Sequence, residues 1–249
     1  MKVHPRVCVS GISTWNQSLA DDLALYRDLG VHTIGAALRK IEPDADLELL
    51  RSSGLRVANV IGVGHAGLGR AIDVATQLSA PAIVFTTGPA GEMEWDDAAD
   101  AFARAVTPHR TTAVKLCLEH TNSLRMDVSF VHTLRDALDL ARRLDIFVCM
   151  EINACWAERD LARTVADGIE RIGVVQVSDY AVGTLSTPNR LVPGDGDIPL
   201  RRIIDMVLEA GYEGVFDLEL VGPRIEEEGY RSAISRSCDY LSELLTRHS

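Results

Sequence analysis

The run GVFDLELVG (214–222) reads as a strand covered on both faces, with a carboxylate set inside it. Val215, Phe216, Leu218, Leu220 and Val221 suit a sheet buried on both sides, as parallel sheets are. Glu219 stands among them, and Asp217 lies two residues earlier. An ionised carboxylate is almost never buried without a partner. This strand end therefore needs a cation, a proton or an ion pair.

Seven further runs of the same kind precede it: RVCVSGI (6–12), HTIGAAL (32–38), RVANVIGVG (56–64), AIVFTTG (82–88), AVKLCLEHT (113–121), IFVCMEIN (146–153) and IGVVQVSD (172–179). Helical patterns separate them, among them NQSLADDLALYRDLG (16–30), VSFVHTLRDALDLARRLD (128–145) and PLRRIIDMVLEAGYEG (199–214). A last one, EEEGYRSAISRSCDYLSELLTRH (226–248), follows the eighth strand. Several end in Gly, or in Asp after basic residues, as helix C-termini do. Eight β-then-α units in 249 residues is the count and size of a single (β/α)8 TIM barrel, α/β in class, over 1–249. An open doubly wound sheet is the alternative. However, GVGHAGLG (62–69) does not combine the G-x-G-x-x-G spacing with an acidic residue ending the next strand.

Composition narrows the partners. The chain is 47% hydrophobic and 24% charged, with a formal net charge of −11. An acidic surface without a Lys/Arg run repels nucleic-acid phosphate, so no nucleic acid is expected. No apolar run approaches the ~18 residues that span a membrane. The N-terminal MKVHPRVCVSG has no signal-peptide pattern, so a cytoplasmic location is expected. Cys8, Cys117 and Cys149 sit in strand-like runs as small hydrophobes, and no CxxC pair suggests zinc-thiolate chemistry.

In a parallel barrel the chemistry lies at the C-terminal strand ends. Four consecutive ends here carry oxygen donors: Glu119, Glu151, Gln176 and Glu219, spaced 32, 25 and 43 residues apart. Neighbouring strands aim these groups at one point. Three carboxylates meeting in a low-dielectric mouth repel one another, so they hold protons or share a divalent cation. Separate local ion pairs are the plainer alternative for each one alone. An all-oxygen shell of three carboxylates and an amide suits Mn²⁺ or Mg²⁺ better than Zn²⁺, with Co²⁺ able to substitute. The expected ligands are thus Glu119, Glu151, Gln176 and Glu219, with Asp179 holding their neighbours rather than the ion.

At these residues the chain resembles the xylose isomerase-like TIM barrels, the superfamily of sugar isomerases, sugar epimerases and endonuclease IV. That family shows Glu, then Asp, then H-x-x-D, then Glu at the ends of its last four strands. CLEHT (117–121) and LEL (218–220) match the first and last, QVSD (176–179) matches H-x-x-D, and VPGDGDIPL (192–200) looks like its P-G-x-G-x-[IL] segment. Three positions depart: Glu151 replaces Asp, Gln176 replaces His, and Ala154 stands where many members carry His.

The resemblance implies that Glu119 and Glu219 are both ligands and the acid/base pair, one on each face of the substrate. It implies that Arg190 holds a substrate oxygen, though a solvated loop residue is the alternative. His65 and His120, near strand ends, are candidates to replace the missing histidine or are packing residues. Trp15 and Arg224, in mouth loops, are candidate substrate walls. The expected activity is isomerisation or epimerisation of a small hydroxy-carbonyl compound, a sugar or keto-acid, through an enediolate. A dehydratase or lyase performing β-elimination on a keto-sugar or cyclic keto-acid is the alternative, with a non-catalytic barrel subunit behind it. A repair nuclease is disfavoured by the charge and by the shortage of histidine ligands. A homo-oligomer is compatible with all of these.

Overall fold

The computed structural model describes residues 2–41, 44–110 and 113–248. Eight strands alternate with helices in chain order. β1 (Val7–Ser10), α1 (Leu19–Leu29), β2 (Thr33–Ala37), α2 (Asp44–Ser52), β3 (Arg56–Gly64) and α3 (Leu68–Gln77) come first. Next are β4 (Ala82–Thr86), α4 (Trp95–Val106), β5 (Lys115–Glu119), α5 (Leu134–Leu144), β6 (Phe147–Glu151), the one-turn α6 (Ile152–Cys155) and α7 (Leu161–Gly168). β7 (Ile172–Val177), α8 (Leu200–Glu209), β8 (Phe216–Leu218), α9 (Pro223–Glu228) and α10 (Tyr230–Thr246) complete the chain. Every strand pairs in parallel with its neighbours, and β8 closes on β1 through Val7–Phe216 and Val9–Leu218. The fold is a single (β/α)8 barrel.

Two apolar layers follow from the period-two alternation of strand side chains. Outward-facing residues such as Val9, Leu118, Val148, Val175 and Phe216 pack under the helices in the main core. Inward-facing Ile61, Ala82, Val84, Cys117, Cys149 and Val174 fill the barrel itself. Two residues further along the same inward face come Glu119 after Cys117, Glu151 after Cys149, and Gln176 after Val174. The hydrophobic plug thus sets the face on which the polar strand ends converge. All five cysteines are buried and free.

Helix ends obey local chemistry. Ser18 accepts from the Asp21 N–H to start α1, and Thr133 accepts from Asp136 to start α5. α5 therefore begins later than the pattern from 128 suggests. The Val128 and Val131 carbonyls instead accept from the Gly88 and Thr121 amides, and the Phe130 N–H goes to Thr87 Oγ1, which ties this stretch to the ends of β4 and β5. The expected helix over 226–248 is broken at Gly229, where φ is 91°. β8 is also shorter than GVFDLELVG implies. Ser13 Oγ donates to Leu218 O and accepts from Leu220 N, so a side chain replaces the ladder and the strand ends at Leu218. Among the described residues, no helix is long and apolar enough to cross a membrane.

Candidate metal centre and substrate cavity

Glu119 and Glu151 end β5 and β6, and Glu219 follows β8 by one residue, its N–H still donating to Val177 O. One carboxylate oxygen from each lies within 4.8 Å of the others. Arg190 is set among them. Its Nη1 stands 2.7 Å from Glu151 Oε2 and its Nη2 3.0 Å from Glu219 Oε2, while Nη1 also donates to Ser178 Oγ at 2.8 Å. Neither Oε2 receives an aligned hydrogen bond, so these contacts are charge pairs that leave lone pairs free.

The electrostatics are divided. Burial, then the Glu151 charge, pushes Glu119 up to about 8. Burial drives Glu219 well above the carboxylate range, with Arg190 opposing and Glu119 and Glu151 adding to the rise. Burial also raises Glu151, but Arg190, a hydrogen bond from Glu219 and the Asn153 N–H outweigh it, and Glu151 sits below its ordinary value. Without an added cation, burial thus favours the neutral form of Glu119 and Glu219, while Arg190 favours the ionised form of Glu151.

Arg190 is delivered by a loop that Asp179 clamps. Asp179 Oδ1 accepts from the Tyr180 and Ile198 amides at 2.9 and 3.1 Å, and Oδ2 accepts from Gly194 N at 2.9 Å. Asp179 and Leu191 exchange both backbone hydrogen bonds, and Arg190 N donates to Val221 O at 2.9 Å. This explains why QVSD and PGDGDI belong together: the carboxylate of one binds the amides of the other. Gly196 has to be glycine, since a Cβ would lie 2.3 Å from Asp179 Oδ1. Gly222, at φ 130°, admits Pro188 O where a Cβ would be 2.7 Å away.

A cavity of about 690 Å³ opens at the strand C-termini, lined by Glu119, Glu151, Glu219, Arg190 and Trp15 among others. Arg39 stacks over the Trp15 ring at 3.8 Å and donates to its carbonyl. Other expected residues lie off the cavity. His65 Nδ1 is 2.8 Å from Thr87 O, and its ring packs edge-on against Phe102. His120 is fully buried, its Nε2 accepts from the Glu151 N–H, and burial lowers it to about 4, so it stays neutral. Arg224 is exposed beside the rim. Gln176 is buried beside Glu151 in the β6–β7 register, its Oε1 accepting from the Cys149 thiol and its Nε2 lacking a partner.

Several lining residues escape a strand-end reading. Asn153 binds Glu151 Oε1 through its amide, and Thr121, Asn122 and Arg125 come from the β5–α5 loop. Asp217 points into the barrel rather than the cavity. It accepts from Asn59 Nδ2 at 3.2 Å, and burial raises it to about 6.

The donor set fits a hard divalent cation: three carboxylates within mutual reach, with two unbonded buried oxygens facing one another across a guanidinium. The chain is similar to known proteins in part of its sequence and in its fold. An inosose isomerase of Halalkalibacterium halodurans is 28% identical over 89 residues, 36% of this chain and 32% of that protein. The chain thus spans about a third of the length of that curated relative. Protein SMc04130 of Sinorhizobium meliloti 1021 superposes with a TM-score of 0.86 at 20% identity, covering 94% of this chain and 96% of that one. An IolI protein with a bound zinc atom superposes at 0.79 with 15% identity, covering 98% and 99%. The family model of the xylose isomerase-like TIM barrels matches residues 62–240, and the chain belongs to that family.

Proposed function

We propose that this protein is a divalent-metal-dependent isomerase or epimerase that moves a proton at the carbon beside the carbonyl of a small hydroxy-carbonyl compound. The observation that carries the reading is the meeting of Glu119, Glu151 and Glu219 within 4.8 Å at the mouth of a substrate-sized cavity. Family membership and the partial likeness to an inosose isomerase support a hydroxy-carbonyl substrate. Glu119, Glu151 and Glu219 would hold the ion, with Gln176 beside Glu151. The all-oxygen donors favour Mn²⁺ or Mg²⁺. When bound, the ion supplies positive charge that stabilises the enediolate oxygens.

The residues divide the remaining work. Glu119 and Glu219 approach the cavity from strands on opposite sides of β6 and β7, so each can give or take a proton on its own face of the substrate. Glu151, held ionised by Arg190, keeps a fixed negative charge and orients Arg190. Arg190 presents its remaining N–H groups to a substrate oxygen. Trp15 would form part of the substrate wall.

A second reading ends the same proton abstraction in loss of a β-hydroxyl, and Gln176 and Ala154, which stand where the family carries histidines, favour it.

The test pairs elemental analysis of untreated protein with incubation of ketoses and keto-acids in heavy water. The reading expects about one Mn²⁺ or Mg²⁺ per chain, and deuterium at the carbon next to the carbonyl. Loss of water in the same assay selects the lyase. Metal-free protein that neither binds Mn²⁺ nor exchanges any α-proton sinks both.

A further inference from the structure

The cavity has two unlike halves. Lining residues from the first four strands and their loops are Ile12, Trp15, Ile61, Val63 and Val84, with Gly62, Gly64 and Thr86. Among these, only the Thr86 hydroxyl and the Trp15 ring N–H can hydrogen-bond through a side chain. The last four strands and their loops supply the three carboxylates and Arg190, with Asn122, Arg125 and Asn153, among apolar Val128, Ala154 and Val221. A polyhydroxylated substrate lying across this cavity would place several hydroxyls against Ile61, Val63 and Val84 and leave them without partners, which costs affinity. The open room is on that apolar side. Gly64 lines the cavity at the end of β3, and a Cβ there meets no heavy atom within 4 Å. Its φ of −82° suits any residue, so glycine is not needed for the backbone.

We propose that the cavity takes an amphiphilic substrate: a hydroxy-carbonyl head at Glu119, Glu151, Glu219 and Arg190, and an uncharged ring or branched alkyl body against Ile12, Ile61, Val63 and Val84, in the room that Gly64 leaves. This rests on the function proposed above and names its substrate class. The polar half fixes which end of the molecule meets the acid/base pair. The apolar half provides binding that a sugar chain cannot use.

Three probes test it by calorimetry on Mn²⁺-loaded full-length protein: hydroxyacetone as head alone, α-hydroxyacetophenone as head plus ring, and D-xylulose as head plus hydroxylated chain. The proposal expects α-hydroxyacetophenone to bind at least about tenfold more tightly than either of the others. Gly64→Leu should erase that gain and leave hydroxyacetone within about twofold. Gly64→Ala, which adds only a methyl, controls for folding and should retain most of the gain. D-xylulose binding more tightly than α-hydroxyacetophenone overturns the proposal while leaving the hydroxy-carbonyl head in place. A gain for the ring that survives Gly64→Leu also overturns it. Hydroxyacetone that neither binds nor exchanges its α-protons in heavy water overturns the function beneath it instead.

Discussion

Arg190 Nη1 lies 2.7 Å from Glu151 Oε2 while Nη2 of the same guanidinium reaches Glu219 Oε2 at 3.0 Å. One side chain thus joins the ends of β6 and β8 across β7 and supplies a positive charge to a three-carboxylate cluster. With a divalent ion added, three ionised carboxylates, Arg190 and the ion would sum to zero charge.

Arg190→Met should therefore destabilise the metal-free protein by about 3 kcal/mol, since it leaves a buried charge without its partner. In a chain of this size that is roughly 6–12 °C in Tm. Thermal melts with saturating Mn²⁺ should recover more than half of the loss, because the ion restores the missing charge and binds only the native state. An equal loss with and without Mn²⁺ would show that the guanidinium does not share the cation's role.

Asp179→Ala should free the loop that carries Arg190. Hydrogen bonds to a charged acceptor contribute about 1.5–3 kcal/mol each, and three backbone amides lose theirs together. The amides of Tyr180, Gly194 and Ile198 should lose protection in hydrogen exchange. Turnover should fall while Mn²⁺ affinity stays within a few-fold, because no proposed ligand has moved. Unchanged exchange at those three amides would contradict the clamp.

Below Trp15, Lys40 Nζ donates to Asp22 Oδ2 at 2.6 Å and to both oxygens of Thr14, and burial raises Asp22 from 3.8 to about 6 despite the lysine. A carboxyl raised on folding holds its proton more tightly in the native state. Its stabilisation is complete below about 3.8 and is lost as pH rises through about 6. The stability of wild type relative to Asp22→Asn should thus shrink between pH 4 and pH 7, by about 3 kcal/mol at most. Denaturant melts at both pH values measure it. A difference that grows with pH would reverse the assignment.

Glu219→Gln should fold normally. Burial already favours the neutral form of Glu219 in the metal-free protein, and the amide keeps its shape, so Tm should stay within about 2 °C. Turnover should drop at least about 100-fold, the usual cost of removing an acid/base group. Near wild-type turnover with metal bound would make Glu219 a ligand only.

Glu119, Glu151 and Glu219 were legible because strand alternation and parallel order place i and i+2 residues on one face, and the inward Cys117–Glu119 and Cys149–Glu151 pairs follow that rule. The barrel was legible from its repeating strand-and-helix rhythm. The reach of Arg190 into the carboxylates was not, because a long loop carries it and the carboxylate of Asp179, not any local pattern, fixes that loop. His65 and His120 sit at the right sequence positions but face a carbonyl and a backbone amide, which sequence spacing does not distinguish from a cavity. The shortness of β8 depended on Ser13, about two hundred residues away in the chain, taking over a ladder hydrogen bond.

The paired hydrogen bonds between Asp179 and Leu191 tie together the two stems of the segment 180–190. That segment is a closed lobe, with Arg190 fixed at its exit stem by Val221 O. Residues can be added or removed at its exposed tip, around Val182 and Leu185, at a small entropic cost and without moving the guanidinium. The roof over the cavity can therefore be remodelled for a new substrate while the charged centre beneath it keeps its geometry.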